Sequence, residues 1–89
     1  MSDNTEQHGF QFPGVFEVTA MGDAPELEAI VLSELVAAGV QPDLGSVRQR
    51  NSSGGRYLSV SVSFPCDTRA RYEAIHVRLR AHPAIRWTL

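Results

Sequence analysis

Between positions 58 and 64 the side chains alternate strictly between apolar and polar, a pattern that a β-strand accommodates and a helix does not. Leu58, Val60, Val62 and Phe64 alternate with Ser59, Ser61 and Ser63. Because successive side chains of a strand point to opposite faces of a sheet, this segment has one apolar face and one polar face. It therefore predicts a strand in the middle of a small sheet that helices cover on one side only.

A serine–glycine loop precedes this strand. Ser52-Ser53-Gly54-Gly55 contains the residue types that hairpin turns favour, so the segment before it, Ser46 to Asn51, is predicted to be the partner strand. Only Val47 in that segment is clearly apolar, which places the strand at an edge of the sheet. Arg48 and Arg50 would discourage aggregation through such an edge.

The N-terminal half predicts a strand followed by a helix. Val15 to Ala20 is predicted to be the strand, with Phe16, Val18 and Ala20 pointing inward, and Met21-Gly22 is expected to break it. Asp23 and Glu26 have the spacing of a capping box, so a helix is predicted from there to about Ala38. Gly39 suits the left-handed residue that ends a helix. The expected apolar stripe of the helix consists of Leu27, Ile30, Val31, Leu35 and Ala38.

The C-terminal segment predicts a second helix and a last strand. Pro65 is expected to end the serine-rich strand, and Asp67 or Thr68 to cap a helix that runs to about Ala81. The buried stripe of this helix is predicted to be Tyr72, Ile75 and Leu79. After His82-Pro83, the residues Ile85, Trp87 and Leu89 alternate with Ala84, Arg86 and Thr88 in a final strand.

This order of elements, βαββαβ, predicts an α+β fold. The most economical arrangement is a ferredoxin-like sandwich, in which a four-stranded antiparallel sheet carries both helices on one face. The 89 residues suffice for one domain, predicted over residues 12–89, after a flexible tail over residues 1–11. The other face of the sheet is expected to be open and polar; it would carry Thr19, Ser59, Ser61, Ser63 and Thr88.

Composition narrows the class of protein. No apolar run approaches the roughly 20 residues that span a bilayer, and the N-terminus lacks the features of a secretion signal. The single cysteine, Cys66, cannot form an internal disulfide. We therefore expect a cytoplasmic protein with no membrane partner.

Charge is distributed unevenly along the chain although its net value is only −2. Residues 1–45 hold eight acids and no arginine or lysine, whereas residues 46–89 hold eight arginines and two acids. Two interpretations remain open. The second half presents a basic surface to an anionic partner, or the two halves pack together and largely neutralise each other, which is the interpretation that we favour.

The sequence does not predict a catalytic or metal site. The three histidines, His8, His76 and His82, have no ligand spacing, and Cys66 has no partnered histidine. We therefore expect no enzyme activity, no catalytic residue and no cofactor.

RNA binding is a weaker alternative. RNA-recognition domains of the same fold stack bases on aromatic residues of the open sheet face, where this chain offers Tyr57 alone. Arg48, Arg50 and Arg56 form a basic hairpin surface that keeps this alternative open, but Glu17 would repel phosphate in the middle of the platform. Nucleic acid is therefore a disfavoured partner.

The loop Ser52-Ser53-Gly54-Gly55, with Tyr57, is the candidate ligand-binding segment. Consecutive amides around glycines can form an anion-binding nest, aided by hydroxyl groups. The alternative, which we favour, is that the glycines only provide the geometry of the turn.

Several short motifs together resemble a known family. These are Phe12-Pro13 followed by Phe16, Met21-Gly22, the Ser52-Ser53-x-Gly55-x-Tyr57-x-Ser59-Val60-Ser61 stretch, and the ending Ile85-Arg86-x-x-Leu89. Over residues 12–89 the chain resembles the YbeD-like family of small uncharacterised bacterial proteins, a domain-of-unknown-function group. The resemblance implies a fold similar to ACT-type regulatory domains, which bind small effectors, often amino acids, across dimer interfaces. It implies no assigned activity.

These observations favour a non-enzymatic, ACT-like regulatory or protein-interaction module. The expected partners are a second copy of the chain, an unidentified protein or a small effector.

Overall fold

A computed structural model describes residues 11–52 and 54–89 of the chain. Its elements, in chain order, are β1 Gly14–Gly22, α1 Leu27–Ala37, β2 Asp43–Asn51, β3 Leu58–Cys66, α2 Arg69–Ala81 and β4 Trp87–Thr88. All strand pairs are antiparallel, and the strands lie in the order β2-β3-β1-β4. This confirms the predicted ferredoxin-like α+β sandwich, with β2 at an edge of the sheet. The tail predicted over residues 1–11 falls, apart from Gln11, outside the described residues.

The register of β3 against β1 confirms the two-faced strand. Val60 lies opposite Ala20 and Val62 opposite Val18, and all four side chains are fully buried beneath the helices. Residues that face each other across two paired strands share one side of the sheet, so Ser61 and its partner Thr19 lie on the opposite side. The alternation therefore separates the core from the open side.

The core lies between the sheet and the two helices. Helix α1 contributes Leu27, Val31 and Leu35, and α2 contributes Ile75 and Leu79. Phe64 of β3 is the largest fully buried side chain of the described residues. The predicted stripes are confirmed at these positions, whereas Ile30, Ala38 and Tyr72 are half-buried at the margin of the core.

The start of α1 differs from the prediction. The helix begins at Leu27 after an N-cap at Glu26 that makes no side-chain capping bond, so Asp23 is not the cap. Asp23 instead forms an ion pair of 3.4 Å with Arg86, which arrives from the other end of the chain. Strand β1 continues through Met21 to Gly22 and is not broken there. A Cβ at Gly22 would collide with the carbonyl oxygen of Ala84, so glycine permits this close approach.

The end of α1 follows the prediction. Gly39 has a φ of 93°, in the left-handed region that favours glycine. Its amide donates to the carbonyl of Val36 at 3.0 Å, and the amide of Val40 donates to the carbonyl of Leu35 at 3.1 Å. This pair of bonds is a Schellman motif, which satisfies carbonyl groups that the helix leaves without partners.

Strand β3 does not stop at Pro65 but continues to Cys66. The last residue of β3 that pairs with β2 is Ser63, so beyond it β3 has β1 as its described neighbour. A residue without an amide donor is tolerated where one side of the strand is unpaired. Helix α2 then begins as predicted, because the hydroxyl of Thr68 accepts a hydrogen bond of 3.2 Å from the amide of Arg71.

The last strand is shorter than predicted, and its side chains have a different orientation. Strand β4 contains only Trp87 and Thr88. Ile85 is buried, but it lies in a turn before the strand, where its amide donates to the carbonyl of His82 at 3.0 Å. Trp87 and Leu89 are 51% and 73% exposed. The expected position of Thr88 on the open face implied that Trp87 and Leu89 face inward with Ile85, and this is wrong.

The acidic and basic halves of the chain neutralise each other in part, as we expected. Among the described residues, three arginines of the second half form ion pairs with acids of the first half. The pairs are Arg48–Glu17, Arg78–Glu34 and Arg86–Asp23. The second of them links α2 to α1, so the acidic first helix lies beside the arginine-rich second helix.

Candidate functional site

The side of the sheet that faces away from the helices carries two rows of side chains, one across all four strands and one from β2 to Leu89, the residue after β4. We call it the open face. The first row runs Arg50, Ser59, Met21, Trp87, from β2 to β4. The second row runs Arg48, Ser61, Thr19, Leu89, where Thr19 and Leu89 are joined by a backbone hydrogen bond of 2.8 Å.

These rows enclose a shallow hollow of about 320 Å³. Its lining consists of Thr19, Met21, Arg48, Arg50, Ser59, Ser61 and Leu89. The hydroxyl groups of Thr19 and Ser61 are 2.7 Å apart and hydrogen-bonded across β1 and β3. The floor of the hollow is therefore polar, and its hydrogen bonding is partly satisfied within the protein.

Most of the predicted open-face polar residues are confirmed, with one exception. Ser59, Ser61 and Ser63 of β3 pair with Met21, Thr19 and Glu17 of β1, away from the helices. Thr88 pairs with Ala20, which belongs to the core. Thr88 therefore faces the helix side, because the phase of β4 is the reverse of the predicted one.

The two arginines of β2 differ in their surroundings. The guanidinium of Arg48 donates to the carboxylate of Glu17 at 2.6 Å, so these two charges balance each other. Arg50 forms no ion pair with any described residue, although it lies in the same hollow. On the β2 side of the open face, the charge of Arg50 is therefore not balanced by any acid of the described residues.

The β4 side of the open face is aromatic. The rings of Tyr57 and Trp87 meet edge to face, with centroids 5.2 Å apart and planes at 81°. The guanidinium of Arg56 lies 5.8 Å from the centre of the Tyr57 ring, within the range of a cation–π contact. Sequence reasoning missed Trp87 because it assigned this side chain to the core. The exposed position of Trp87 follows from its pairing with Met21, an outward residue of β1. That pairing is known only once the register of the strands is known.

The serine–glycine loop uses its amides within the turn. The amide of Gly55 donates to the carbonyl of Ser52 at 2.8 Å, and the amide of Ser52 donates to the carbonyl of Tyr57 at 2.8 Å. The hydroxyl of Ser52 accepts from the amide of Tyr57 at 3.1 Å. Gly54 and Gly55 have positive φ values of 116° and 72°, which explains the two glycines. Ser53 lies outside the described residues. These bonds favour the turn interpretation, and ligand binding by the loop stays a prediction.

The structure therefore brings some of the candidate residues together and separates others. Arg48 and Arg50 line one hollow, while Arg56 contacts the ring of Tyr57, which in turn contacts Trp87. The loop residues Ser52, Gly54 and Gly55 do not line the hollow.

Three titratable side chains outside the open face, Asp67, His76 and Cys66, have surroundings that are explained by packing and neighbouring charges. A hydrogen bond from Arg71 is the largest cause that lowers the pKa of Asp67 below its ordinary value. Burial lowers the pKa of His76, and the positive charge of Arg80 adds to this effect. The buried thiol of Cys66 lies 3.4 Å from the carbonyl oxygen of Thr68, as in a packed side chain.

Residues 11–52 and 54–89 contain neither a candidate metal site nor a membrane-spanning helix. No cluster of three or more histidine, cysteine, aspartate or glutamate side chains in these ranges has an arrangement suited to a metal ion. Neither α1 nor α2 is long and apolar enough to cross a membrane.

Comparison with known proteins identifies relatives along almost the whole chain. Residues 7–89 match the family described as "Protein of unknown function (DUF493)". A UPF0250 protein of Xanthomonas campestris is 46% identical over 89 residues, which cover 99% of this chain and 96% of the relative. A UPF0250 protein of Stenotrophomonas maltophilia is 44% identical, with the same coverage. The solution structure of protein HP0495 from H. pylori aligns with a TM-score of 0.77 over 100% of this chain and 94% of the other, at 11% identity. At this identity the structural match shows the fold alone.

Proposed function

This chain belongs to the DUF493 family of small bacterial proteins of unknown function, and we propose that it is a non-enzymatic, ACT-like module that regulates or binds a partner through its open face. One observation carries the proposal. A single row across the sheet joins an arginine without an ion-pair partner among the described residues, Arg50, to a half-exposed tryptophan, Trp87. Charged and aromatic side chains that face solvent together are typical of recognition surfaces.

The hydrogen bonding of the open face supports binding and not bond cleavage. The hydroxyl of Ser61 is bonded to that of Thr19, and the carboxylate of Glu17 is engaged by Arg48. A nucleophilic hydroxyl needs a base within hydrogen-bond reach that takes its proton. Neither group is arranged in that way.

Nuclear magnetic resonance of the full chain, labelled with ¹⁵N, tests the proposal. A Xanthomonas cell extract is separated into low-mass and high-mass fractions, and each is titrated into the protein. We expect one fraction to shift amide signals of the open-face rows on β1 and β3. The response should weaken in the variant Arg50→Glu and persist in Arg80→Glu, which changes an exposed arginine on α2. Shifts confined to the helix side, or no shifts with either fraction, would overturn the proposal.

A second copy of the chain is one of the partners that this surface admits. Sedimentation at several concentrations distinguishes it from the others. Self-association that Arg50→Glu abolishes and Arg80→Glu preserves would identify the partner as the chain itself.

Single-stranded RNA is the second candidate partner, and two structural observations favour it. Trp87 adds a second aromatic ring beside Tyr57, and the carboxylate of Glu17 is neutralised by Arg48. Aromatic rings that stack bases, together with arginines that contact phosphates, are the usual elements of such sites. Binding of an unstructured RNA should weaken with salt, with a shallower salt dependence in the Arg50→Gln variant. Salt-independent binding, or no binding at low salt, would exclude this candidate.

A further inference from the structure

The positive end of the open face is suited to an anionic group. Arg48 and Arg50 lie on the same face of β2, but only Arg48 has an acidic partner among the described residues. A guanidinium presents a planar set of donors that matches the oxygens of a phosphate or a carboxylate. Because an anion would complete the charge balance of the hollow, the hollow favours a ligand with an anionic group near Arg50.

The opposite end of the same row is suited to a planar ring. The indole of Trp87 is 51% exposed, and its contact with Tyr57 is edge to face. This contact orients the indole while about half of the side chain stays exposed to solvent. Indole faces bind planar rings through stacking.

The spacing between the two ends constrains the size of the ligand. Arg50 and Trp87 are separated by three strand-to-strand steps, so their Cα atoms are about 14 Å apart. Arg50 lines the hollow, whose volume of about 320 Å³ is that of a small-molecule site, and Trp87 lies in the same row next to Met21, which also lines it. This separation favours a ligand longer than a free amino acid, with its anion and its ring at opposite ends.

The floor between the ends is suited to a polar linker. Ser59 and Met21 form the middle of the row, and the hydroxyl groups of Thr19 and Ser61 lie beside them. Hydroxyl groups both donate and accept hydrogen bonds, so they can bind the hydroxyl groups of a sugar.

We propose that the open face binds a nucleoside monophosphate, with the phosphate at Arg50, the sugar over the hydroxyl floor and the base against Trp87. The inference rests on the proposed function, since it names the ligand class of the same surface. It does not require the chain to act on the nucleotide chemically.

Titration calorimetry and Trp87 fluorescence of the purified full chain test the inference with four probes: AMP, adenosine, ribose 5-phosphate and inorganic phosphate. AMP should bind and quench the fluorescence. Adenosine and ribose 5-phosphate, which each lack one end, should bind at least about tenfold more weakly, the loss expected when one charge-assisted bond or one stacked ring is missing.

Three variants assign the ends of the ligand. Arg50→Gln should weaken AMP about tenfold and leave the affinity for adenosine unchanged, because adenosine has no phosphate. Trp87→Leu should weaken AMP and adenosine by similar factors and leave ribose 5-phosphate unchanged. Arg80→Gln, the matched control on α2, should bind all probes as the parent protein does.

Three results would overturn the inference. The first is equal affinity for AMP and ribose 5-phosphate, which would show that the ring contributes nothing. The second is that none of the four probes binds. The third is that an RNA oligonucleotide binds more tightly than AMP, with an affinity that rises with its length. If no nucleotide binds while an extract fraction still shifts the open-face signals, the inference fails and the proposed function stands. If neither a nucleotide nor an extract fraction binds, the inference and the proposed function both fail.

Discussion

The guanidinium of Arg71 in the first turn of α2 donates a hydrogen bond of 3.0 Å to the carbonyl oxygen of Ala38, where α1 ends. The same side chain donates to the carboxylate of Asp67 at 3.0 Å. The last carbonyl groups of a helix have no partners within the helix, so Arg71 supplies one from the neighbouring helix. The two helices are thereby joined at the end of the sheet that is remote from the candidate site.

We expect Arg71→Met to lower the free energy of unfolding by about 1–2 kcal/mol. A hydrogen bond from a charged donor is worth somewhat more, but this side chain is partly exposed to water, which weakens the interaction. Urea unfolding measures the change. Glu73→Gln is the control, because it removes an exposed ion pair on the same helix and should cost less than about 0.5 kcal/mol. Equal costs for the two variants would contradict a structural role for the Arg71–Ala38 bond.

Gly39→Ala should lower the free energy of unfolding by at least about 1–2 kcal/mol. Its φ of 93° is strained for any residue with a Cβ, and the new methyl group would displace the Arg71 guanidinium. Gly45→Ala is the matched control, since that glycine does not have a positive φ and its nearest neighbour would lie at 3.5 Å. Thermal unfolding should separate the two variants by several degrees. In an Arg71→Met background, Gly39→Ala should lower the free energy of unfolding by less, because only the strain of the positive φ remains.

The central strand pair could be predicted because its signal is local and has a single period. The alternation from Leu58 to Phe64 identifies the strand and its two faces, and the glycines before it identify the hairpin. The end of α1 was equally predictable, because Gly39 is a local requirement of backbone geometry.

The start of α1 and the phase of β4 could not be predicted, because both depend on contacts between the two ends of the chain. Asp23 has the local features of a cap, but Arg86 competes for it through an ion pair across 63 positions. Alternation shows which residues of a strand share a face, not which face is buried. Ile85 and Trp87 have the same phase in the sequence, yet the turn before β4 buries one and exposes the other. The aromatic end of the candidate site was missed for this reason.

Val62→Thr tests which side of β3 is the core. The substitution keeps the shape of a fully buried side chain but places a hydroxyl group without a partner in the apolar interior. We expect it to cost about 1–3 kcal/mol of stability. Ser63→Thr, the adjacent residue on the open face, should change stability by less than about 0.5 kcal/mol. If the larger cost fell on Ser63→Thr, the assignment of the two faces would be wrong.

His76 should make the fold less stable in mildly acidic solution. Its Nε2 atom is buried and has no hydrogen-bond partner among the described residues, and its ring contacts that of Tyr72 at a centroid distance of 4.8 Å. Burial first, and then the charge of Arg80, lower its pKa in the folded protein from the ordinary 6.5. As the pH falls through 6.5, the unfolded chain therefore binds the proton before the folded chain does. Stability is lost through this range until the pH lies below the folded-state pKa.

The measurement is the free energy of unfolding by urea at a series of pH values on both sides of the ordinary histidine pKa. The quantity to follow is the difference between the parent protein and His76→Gln, since subtraction removes groups that titrate in both. We expect this difference to shift in favour of the variant as the solution becomes more acidic. In Arg80→Gln the loss of stability should begin at the same pH but be smaller, because burial persists and one charge is gone. A difference that stays constant with pH would show that His76 has the same pKa folded and unfolded.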